Sequence, residues 1–512
     1  MAKANVLGGV RYLTFAGGGG KGLVYLGVIK ALEEAMHGKP RDRSWTRVNE
    51  PWAVPYTSAT FPMEAFPDTP IIDLKQPINE RPIIGISGAS AGAITAFMLA
   101  MGMSSRKIFR TTEEIRLIPL GPNNDPVGVS PFETFFGKPA KTELRSIRAN
   151  EVSVENTARD GRFLGTEGMV EAIAHAAYSW SSTFDVESIA VQRIFATRFG
   201  NTYGPGGLRE FTDSLVSGFG LFTGLEVRPF FEELLAKNLL DGMELRAVGE
   251  HVRVDPEESF KGYFAMFMRL TGVDLAITGT NVTTKRPVVF SFGNTPDFPV
   301  TEAVGISMSI PLLFKPVLNR TRVIADWGSD DQYNVSYYGH FVDGGMLNNV
   351  PIHVFDYCTP QPFYHQFVKQ VSPVAWSPER AQAEGWPEDR LASKSVSRDV
   401  YKALTFVFQD PKNTDLAELT LNSSQPAIAV YMGALLDTLL YSANAGQYLS
   451  AKRRAEVVEV DPNGIGTADF SNITLDAKRN PSPVGSKEPD RSRTKMMAIM
   501  NAYNTAWDRI GT

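Results

Sequence analysis

A run of four glycines at positions 17–20, followed by Lys21 and Gly22, comes directly after the apolar segment 10–16. Segment 10–16 is typical of a buried strand, and segment 23–36 after the glycines has helical character. Glycines at a strand-to-helix turn let backbone N–H groups approach an anion closely, because no Cβ stands in the way. The helix dipole adds partial positive charge there. The loop therefore predicts a site for an anion, either a bound phosphate or a transient oxyanion.

A serine with small neighbours follows a second apolar segment, at residues 83–87. The pattern G-x-S-x-G, from Gly88 to Gly92, is typical of a nucleophile elbow, in which a strand meets a helix at a sharp turn. Such a turn needs small residues on both sides of the serine and lifts its hydroxyl clear of the sheet. The pattern predicts that Ser90 is a nucleophile in acyl transfer.

An acid on a glycine turn forms a third motif. Asp343 follows the apolar residues Phe341 and Val342 and precedes Gly344 and Gly345. An Asp-Gly-Gly sequence by itself is usually only a turn, but beside the other two motifs Asp343 becomes a candidate functional acid.

In this order the three motifs resemble those of the patatin-like phospholipase family, with its glycine-rich loop, its serine elbow and its distant D-G-[GA]. Segment 307–317 resembles the family's S-x-[AS]-x-P-x-x-F-x-P pattern, and 343–351 resembles D-G-G-x-x-x-N-x-P. The resemblance covers residues 8–36, 82–104 and 270–356, with a weaker echo at 457–475.

The resemblance implies a three-layer α/β fold, in which a mostly parallel central sheet is flanked by helices and carries helical insertions. It implies a lipid acyl hydrolase of phospholipase A type, cleaving carboxyl esters of glycerophospholipids or lysophospholipids through an acyl-serine intermediate. It also implies a Ser–Asp dyad, with Ser90 as nucleophile, Asp343 as base and no cofactor. A solvated aspartate titrates near about 3.9, so we expect burial beside Val342 and Met346 to raise the pKa of Asp343.

The glycines of the motifs have two expected roles. Backbone N–H groups of the first loop are expected to form an oxyanion hole, with Gly18 and Gly19 as main donors and Ala91 as a further candidate. The full loop set is Gly17, Gly18, Gly19 and Gly20, and the glycines expected to shape the motifs are Gly22, Gly88, Gly92, Gly344 and Gly345. Lys21 has two interpretations, a structural ion pair or a contact with an anionic headgroup.

Two other functions remain as alternatives, and two nucleotide-binding sites do not fit the sequence. A Ser-His-Asp hydrolase requires a histidine after the acid, and His353 and His365 are candidates. An inactive lipid-binding scaffold on the same fold is a second alternative. A P-loop fails because Phe15 and Gly22 occupy its glycine and Ser/Thr positions. A dinucleotide site matches the glycine spacing but lacks the acid expected about 20 residues later.

The composition of the chain limits which classes of partner it could bind and which redox compartment it fits. The 512 residues are 43% hydrophobic and 21% charged, with a net charge of −5, so no overall basic field favours nucleic acid. We expect membrane phospholipid as the partner, through peripheral contact, with a requirement for a protein activator left open. The single cysteine, Cys358, forms no internal disulfide, and no cluster of metal-ligating residues is evident.

The N-terminal residues lack the features of a secretory signal peptide, so we expect a cytoplasmic or membrane-peripheral protein, with export by another route left open. The uncharged segment 83–103 is long enough to span a bilayer, at about 20 residues. Its glycines, its elbow and the preceding Pro82 favour a buried strand and helix instead.

The chain divides into a catalytic domain at 8–360, interrupted by insertions at 37–80 and 105–259, and a mainly helical part at 361–512 packed on the same domain. The last segment of that part has a helical stripe of Met, Tyr, Trp and Ile. We expect a helix that docks on the domain, with a lipid-facing helix as the alternative.

Overall fold

The computed structural model describes residues 9–45, 63–77, 80–119, 126–136, 143–148, 151–156, 220–240, 262–295, 298–320, 337–355, 402–409, 457–463, 465–466, 469–479 and 491–510. The strands in this part of the chain are β1 (Val10–Phe15), β2 (Gly85–Gly88), β3 (Arg116–Pro119), β4 (Pro126–Val129), β5 (Glu143–Arg148), β6 (Glu151–Asn156), β7 (Gly220–Phe222), β8 (Asp274–Asn281), β9 (Arg286–Ser291), β10 (Leu312–Phe314), β11 (Val317–Asn319), β12 (Gly339–Asp343), β13 (Lys402–Phe408) and β14 (Val457–Val460).

The helices are α1 (Tyr25–Met36), α2 (Ala91–Ala100), α3 (Ser105–Thr112), α4 (Val227–Leu235), α5 (Phe264–Thr271), α6 (Val300–Ser307), α7 (Gly345–Asn348), α8 (Ile473–Arg479) and α9 (Arg491–Ile510). Short 3-10 helices lie at Gly19–Val24, Arg43–Trp45, Met63–Ala65 and Glu133–Phe136, and a π-helix at Ala236–Leu240 follows α4.

In the described residues, ten strands form one central sheet, in the order β14-β13-β1-β2-β8-β12-β11-β5-β6, with β9 paired to β8. Strands β14, β13, β1, β2 and β8 pair with one another in parallel, whereas β9 is antiparallel to β8, and β12 is antiparallel to both β8 and β11. The central strands β2 and β8 are buried along their whole length, as expected for parallel strands covered on both faces. This mostly parallel sheet with flanking helices is the α/β fold that the sequence predicted.

The two faces of the sheet bury different side chains, since neighbouring residues of a strand point to opposite faces. Leu13 and Phe15 of β1 belong to the main core with residues of α1, α2, α6 and α9. Tyr12, on the opposite face, stacks on Phe355 with ring centroids 4.4 Å apart. The functional motifs therefore lie at strand ends within a sheet that is packed on both sides.

The described residues of the C-terminal part contain two strands, β13 and β14, besides the helices α8 and α9. β13 and β14 continue the parallel sheet beyond β1, with Phe15 opposite Phe406. The run 402–408 has the alternating, aromatic-rich character of a strand, and only its pairing with β1 places it in the sheet. The C-terminal part thus completes the catalytic sheet rather than only covering it.

The insertions also contain more than helices. In the described portion of 105–259, α3 and α4 are helical, as expected, but β5 and β6 extend the edge of the central sheet, and β7 pairs with β10. In the first insertion Trp45 is fully buried, between Phe66 and Tyr503 of α9. Aromatic packing therefore holds the described residues around Trp45 in place.

The last helix docks on the domain, as the helical stripe indicated. Met496, Ile499, Met500 and Tyr503 are fully buried, and a methyl group at Gly27 of α1 would overlap the backbone of Ile499. Glycine at that point lets α1 and α9 approach closely. Across the described residues, no helix combines the length and the apolar character needed to cross a membrane.

Candidate active site

Ser90 occupies a strained turn between β2 and α2. Its backbone has φ +50° and ψ −122°, a conformation that non-glycine residues rarely adopt, and such strain is worth roughly 1–3 kcal/mol. The Ser90 N–H donates to Ser307 Oγ at 2.9 Å, which helps to hold the turn. A methyl group at Gly88 would overlap the carbonyl of Gly92, and one at Gly92 would overlap that of Phe15. Close backbone approach therefore requires both elbow glycines.

The Ser90 hydroxyl and the Asp343 carboxylate are in direct contact. Ser90 Oγ donates to Asp343 Oδ2 at 2.8 Å, although the residues are 253 positions apart. Asp343 Oδ1 accepts the N–H of Gly345 at 2.6 Å. Burial raises the pKa of Asp343 to about 7, opposed by the hydrogen bonds from Gly345 and Ser90. The carboxylate is thus positioned as a base, with a pKa suited to neutral pH.

The end of β12 aims Asp343 at the elbow. Asp343 lies opposite Gly279 of β8, and its N–H donates to the Ser309 carbonyl at 2.9 Å. A methyl group at Gly344 would overlap Thr278, and one at Gly345 would lie 2.7 Å from Asn349 Oδ1. The paired glycines therefore let the turn after Asp343 fold tightly against β8.

Asn349 ties the glycine loop to the Asp343 turn. The Gly17 N–H donates to the Asn349 carbonyl at 3.2 Å, and Asn349 Nδ2 donates to the Gly17 carbonyl at 3.2 Å. The first bond removes Gly17 from the set of oxyanion donors predicted from the sequence, because its only N–H is already used. Gly17 remains essential to the shape of the loop, since a methyl group there would lie 2.9 Å from Ser90 Cβ.

The next three glycines present free main-chain donors. Among the described residues, the amides of Gly18, Gly19 and Gly20 have no hydrogen-bond acceptor. Gly19 has φ +57°, which favours glycine. A methyl group at Gly22 would lie 2.7 Å from Ala91 Cβ, so this glycine brings the loop against the start of α2.

Residues of the C-terminal part enclose the glycine loop. A methyl group at Gly18 would overlap the ring of Phe408, at the end of β13. A methyl group at Gly20 would overlap the main chain of Asp469. Neither Phe408 nor Asp469 was a candidate from sequence: no motif marks Phe408, and Asp469 lay only within the weaker echo at 457–475. Ser307 and Asn349 lie in the segments 307–317 and 343–351 that resemble family patterns. Their place in those segments was the only indication from the sequence that they contribute to the site.

A mainly apolar cleft opens beside Ser90, with a volume of about 800 Å³ including its solvent-filled mouth. Its wall on α2 consists of Ala91, Ile94, Thr95 and Met98, spaced along one face of the helix. α1 contributes Leu26 and Ile29 to the wall. The remaining lining comes from Gly19, Gly20, Gly22, Leu23, Tyr25, Ile108, Thr112, Phe132, Phe135, Met308, Ile310, Asp469, Phe470, Ser471 and Asn472.

The histidines of the alternative triad do not fit this geometry. The direct bond between Ser90 and Asp343 leaves no room for an imidazole between them. His353 is exposed, whereas Ser90 and Asp343 are buried, and His365 lies outside the described residues. Lys21 is also buried, at 8% exposure, which favours its structural interpretation. In the part of the chain that the structure describes, no group of three metal-ligating side chains occurs.

Comparison with known proteins identifies the family of the chain. A family profile described as patatin-like phospholipase matches residues 82–356, more than half of the chain and inclusive of Ser90 and Asp343. The chain belongs to the patatin-like phospholipase family. The glycine loop at 17–20, and the residues of β13 and of 469–472 that enclose it, lie outside the matched range of this patatin-like chain.

A probable lipid hydrolase of Invertebrate iridescent virus 6 is 26% identical over 125 residues, 24% of this patatin-like chain. The chain spans about a third of the length of that relative, 34%. The crystal structure of VipD from Legionella pneumophila aligns over 98% of this chain and 67% of its own, with 14% identity and a TM-score of 0.31.

Proposed function

We propose that this protein is a serine carboxylic-ester hydrolase of phospholipase A type, acting on glycerophospholipids or lysophospholipids. The observation that carries the proposal is the hydrogen bond from Ser90 Oγ to the buried Asp343 carboxylate, at the head of an apolar cleft. A nucleophile, a base and a site for an acyl chain are the parts that such a reaction requires.

Acylation begins when the ester carbonyl binds with its carbon near Ser90 Oγ. Asp343 accepts the hydroxyl proton as the Oγ–C bond forms, which gives a tetrahedral intermediate with negative charge on the former carbonyl oxygen. The intermediate then breaks its bond to the alcohol oxygen, and Asp343 returns the proton to that oxygen. The products of this step are the free alcohol, such as a lysophospholipid, and acyl-Ser90.

Deacylation reverses the roles with water as nucleophile. Asp343 accepts a proton from water as its oxygen attacks the acyl-Ser90 carbonyl, and Ser90 Oγ leaves with that proton. The fatty acid departs and the dyad returns to its starting state. One carboxylate serves as base and acid in both halves of the cycle, which is why a pKa of about 7 for Asp343 favours the reaction at neutral pH.

The charge on the tetrahedral oxygen needs fixed donors. The unused amides of Gly18, Gly19 and Gly20 lie at the start of the helix Gly19–Val24, beside the elbow through the Gly22–Ala91 contact. We assign them as the oxyanion hole, with the Ala91 amide at the start of α2 as a further donor. Removal of one such donor typically lowers kcat by about 10²–10³.

The acyl chain is assigned to the cleft between α1 and α2. α2 starts directly after Ser90, α1 follows the glycine loop through the 3-10 helix Gly19–Val24, and the wall residues from Ala91 to Met98 follow α2 away from Ser90 for about 10 Å. Apolar side chains dominate this wall, so burial of each methylene contributes about 0.8 kcal/mol to binding. The headgroup and glycerol remain on the side of the cleft mouth.

The test compares wild type with Ser90→Ala on phosphatidylcholine vesicles and on lysophosphatidylcholine micelles, with released fatty acid measured by mass spectrometry. We expect wild type to release fatty acid and Ser90→Ala to lose at least about 10³-fold in kcat. A fluorophosphonate probe should label wild type and leave Ser90→Ala unlabelled. Folded wild-type protein that neither releases fatty acid nor reacts with the probe would contradict the proposal and favour the inactive scaffold.

A separate substitution tests the Ser-His-Asp alternative. Replacing His353 and His365 together by Ala should leave fatty-acid release within about threefold of wild type, because the proposed proton transfer is direct. Loss of nearly all activity in that variant, with its fold retained by circular dichroism, would favour the triad.

A further inference from the structure

We infer that a buried charge cluster at the start of α9 is a positioning element for the glycine loop. The Lys495 cluster consists of Lys495, Arg491, Asp469, Ser471 and Asp476. It lies beside the cleft and outside the matched family range. The inference rests on the proposed function, since it concerns the amides assigned to the oxyanion hole.

Lys495 organises the cluster from a position with 1% exposure. Its Nζ donates to Asp469 Oδ1 at 2.8 Å, to the Ser471 carbonyl at 2.8 Å and to Ser471 Oγ at 2.7 Å, and it pairs with Asp476 Oδ2 at 2.6 Å. Arg491 pairs with Asp469 Oδ2 at 3.0 Å. These contacts hold the side chain of Asp469 and both the carbonyl and the hydroxyl of Ser471, and so restrict the short segment 469–471, because charge-assisted hydrogen bonds are strong.

The same segment forms a wall of the candidate active site. Asp469, Phe470, Ser471 and Asn472 line the cleft together with Gly20 and Ser90. The segment is also tied to the second insertion, since the Phe470 carbonyl accepts the hydroxyl of Ser130 at 2.6 Å and Asn472 Nδ2 donates to the Thr112 carbonyl at 3.0 Å. It therefore bridges α9, the insertion and the glycine loop.

The contact between the Asp469 main chain and Gly20 connects the Lys495 cluster to the glycine loop. The Asp469 main chain lies so close to Gly20 that a methyl group there would overlap its carbonyl oxygen, carbonyl carbon and nitrogen. Movement of 469–471 therefore changes the space in which the Gly20 peptide sits. Oxyanion donors act only at hydrogen-bonding distance from the developing charge, and a misplacement of about 1 Å is enough to cost activity.

The test replaces Lys495 by Met, which keeps the length of the side chain and removes its charge. We expect kcat for ester hydrolysis to fall about tenfold or more, with KM within about twofold of wild type, because the binding cleft remains while the oxyanion donors shift. The rate of labelling by a fluorophosphonate, whose phosphoryl oxygen occupies the oxyanion site, should fall by a similar factor. Lys495→Arg should restore most of both rates.

Lys30→Met is the matched control. Lys30 is also 1% exposed and pairs with Glu34 and with Asp42 (3.3 Å), but it contacts Trp45 and Tyr503 rather than the glycine loop. Both Met variants are expected to lower the melting temperature, so rates are measured well below the lower one. Only Lys495→Met should lower kcat. Equal kcat values for the two variants, or a loss confined to KM, would overturn the inference.

Arg491→Gln is a second variant, in case Lys495→Met does not fold. It removes the Asp469 Oδ2 pair from a side chain that is 17% exposed, so the folding cost is smaller. We expect kcat to fall by about twofold to fivefold while KM stays unchanged, as for Lys495→Met but with a smaller effect. Unchanged kcat in folded Arg491→Gln, together with full activity of wild type, contradicts the positioning role and leaves the proposed function intact. Inactive wild type contradicts the proposed function itself.

Discussion

Asp343 is the residue on which the proposed chemistry depends, because no imidazole intervenes between it and Ser90. A carboxylate in water is too weak a base to activate a hydroxyl efficiently at neutral pH. Here burial raises the pKa of Asp343 to about 7, while the amide of Gly345 keeps the group oriented. The environment thus supplies the basicity that the side chain lacks.

This pKa predicts the pH dependence of the reaction. The base form of Asp343 is the unprotonated one, so kcat/KM should rise about tenfold per pH unit below pH 7 and level off above it. The measurement is fatty-acid release from a soluble short-chain ester between pH 5 and pH 9. A profile that stays flat from pH 5 to pH 7 would contradict an Asp343 base with a raised pKa.

Asp343 also has a predictable effect on folding. Its pKa in the folded protein is above its ordinary value of 3.8, so the folded state holds the proton more tightly than the unfolded state does. The contribution to stability is full below about pH 3.8 and is lost as the pH rises through about 7. The buried base therefore opposes folding under the conditions in which it is active, as strained and desolvated catalytic groups commonly do.

At the level of elements, the glycine loop is shaped by the ends of β1 and β13 and by the first turn of α2. Gly18 has an extended φ of −176°, which any residue adopts, so its need for glycine is steric and comes from the Phe408 ring. Gly19, with φ +57°, needs glycine for its backbone conformation. Adjacent glycines of the loop are therefore required for different reasons.

This difference gives a double-mutant test. Gly18→Ala should lower kcat by about tenfold or more, because its methyl group and the Phe408 ring cannot occupy the same space. Adding Phe408→Ala should recover at least about half of the lost activation free energy, as a coupled pair does. Gly19→Ala, the control, should gain nothing from Phe408→Ala. Equal effects of Phe408→Ala in both backgrounds would contradict the steric account.

At the scale of the whole molecule, the chain folds so that distant segments share one sheet and one cleft. β13 and β14 add to β1, the second insertion supplies Phe132 and Phe135, and 469–472 closes the cleft beside the loop. Long-range packing of this kind builds the cleft proposed to hold the acyl chain, to which both α1 and α2 contribute lining residues.

Chain-length preference is the corresponding prediction. Met98 lies about two turns of α2 from Ser90 and lines the cleft, so Met98→Trp should shorten it. Each methylene of the acyl chain that no longer fits in the cleft costs about 0.8 kcal/mol of binding. Exclusion of two methylenes therefore lowers the ratio of kcat/KM for long-chain to short-chain esters about tenfold.

The measurement is kcat/KM for esters of increasing acyl length. Met103→Trp is the control, because Met103 is equally buried in the core but is not among the cleft residues. An unchanged ratio in Met98→Trp would show that the acyl chain lies elsewhere.

The resemblance to the patatin-like family implied the α/β class and the pairing of Ser90 with Asp343. The sequence by itself predicted the strand-to-helix turns at 17–20 and 88–92. These features are local, because close backbone turns demand glycine and a strained elbow demands small neighbours, so residue type and spacing record them. The sequence also predicted a raised pKa for Asp343, from the apolar residues beside it.

Only the tertiary structure decided which glycine amides remain free, which strands complete the sheet and what encloses the loop. The Gly17 N–H donates to the carbonyl of Asn349, 332 positions away, and Gly18 and Gly20 are confined by Phe408 and Asp469. Such contacts depend on packing between segments that are distant in the chain. The local sequence of one segment does not indicate which other segment packs against it, so periodicity and motifs do not predict these contacts.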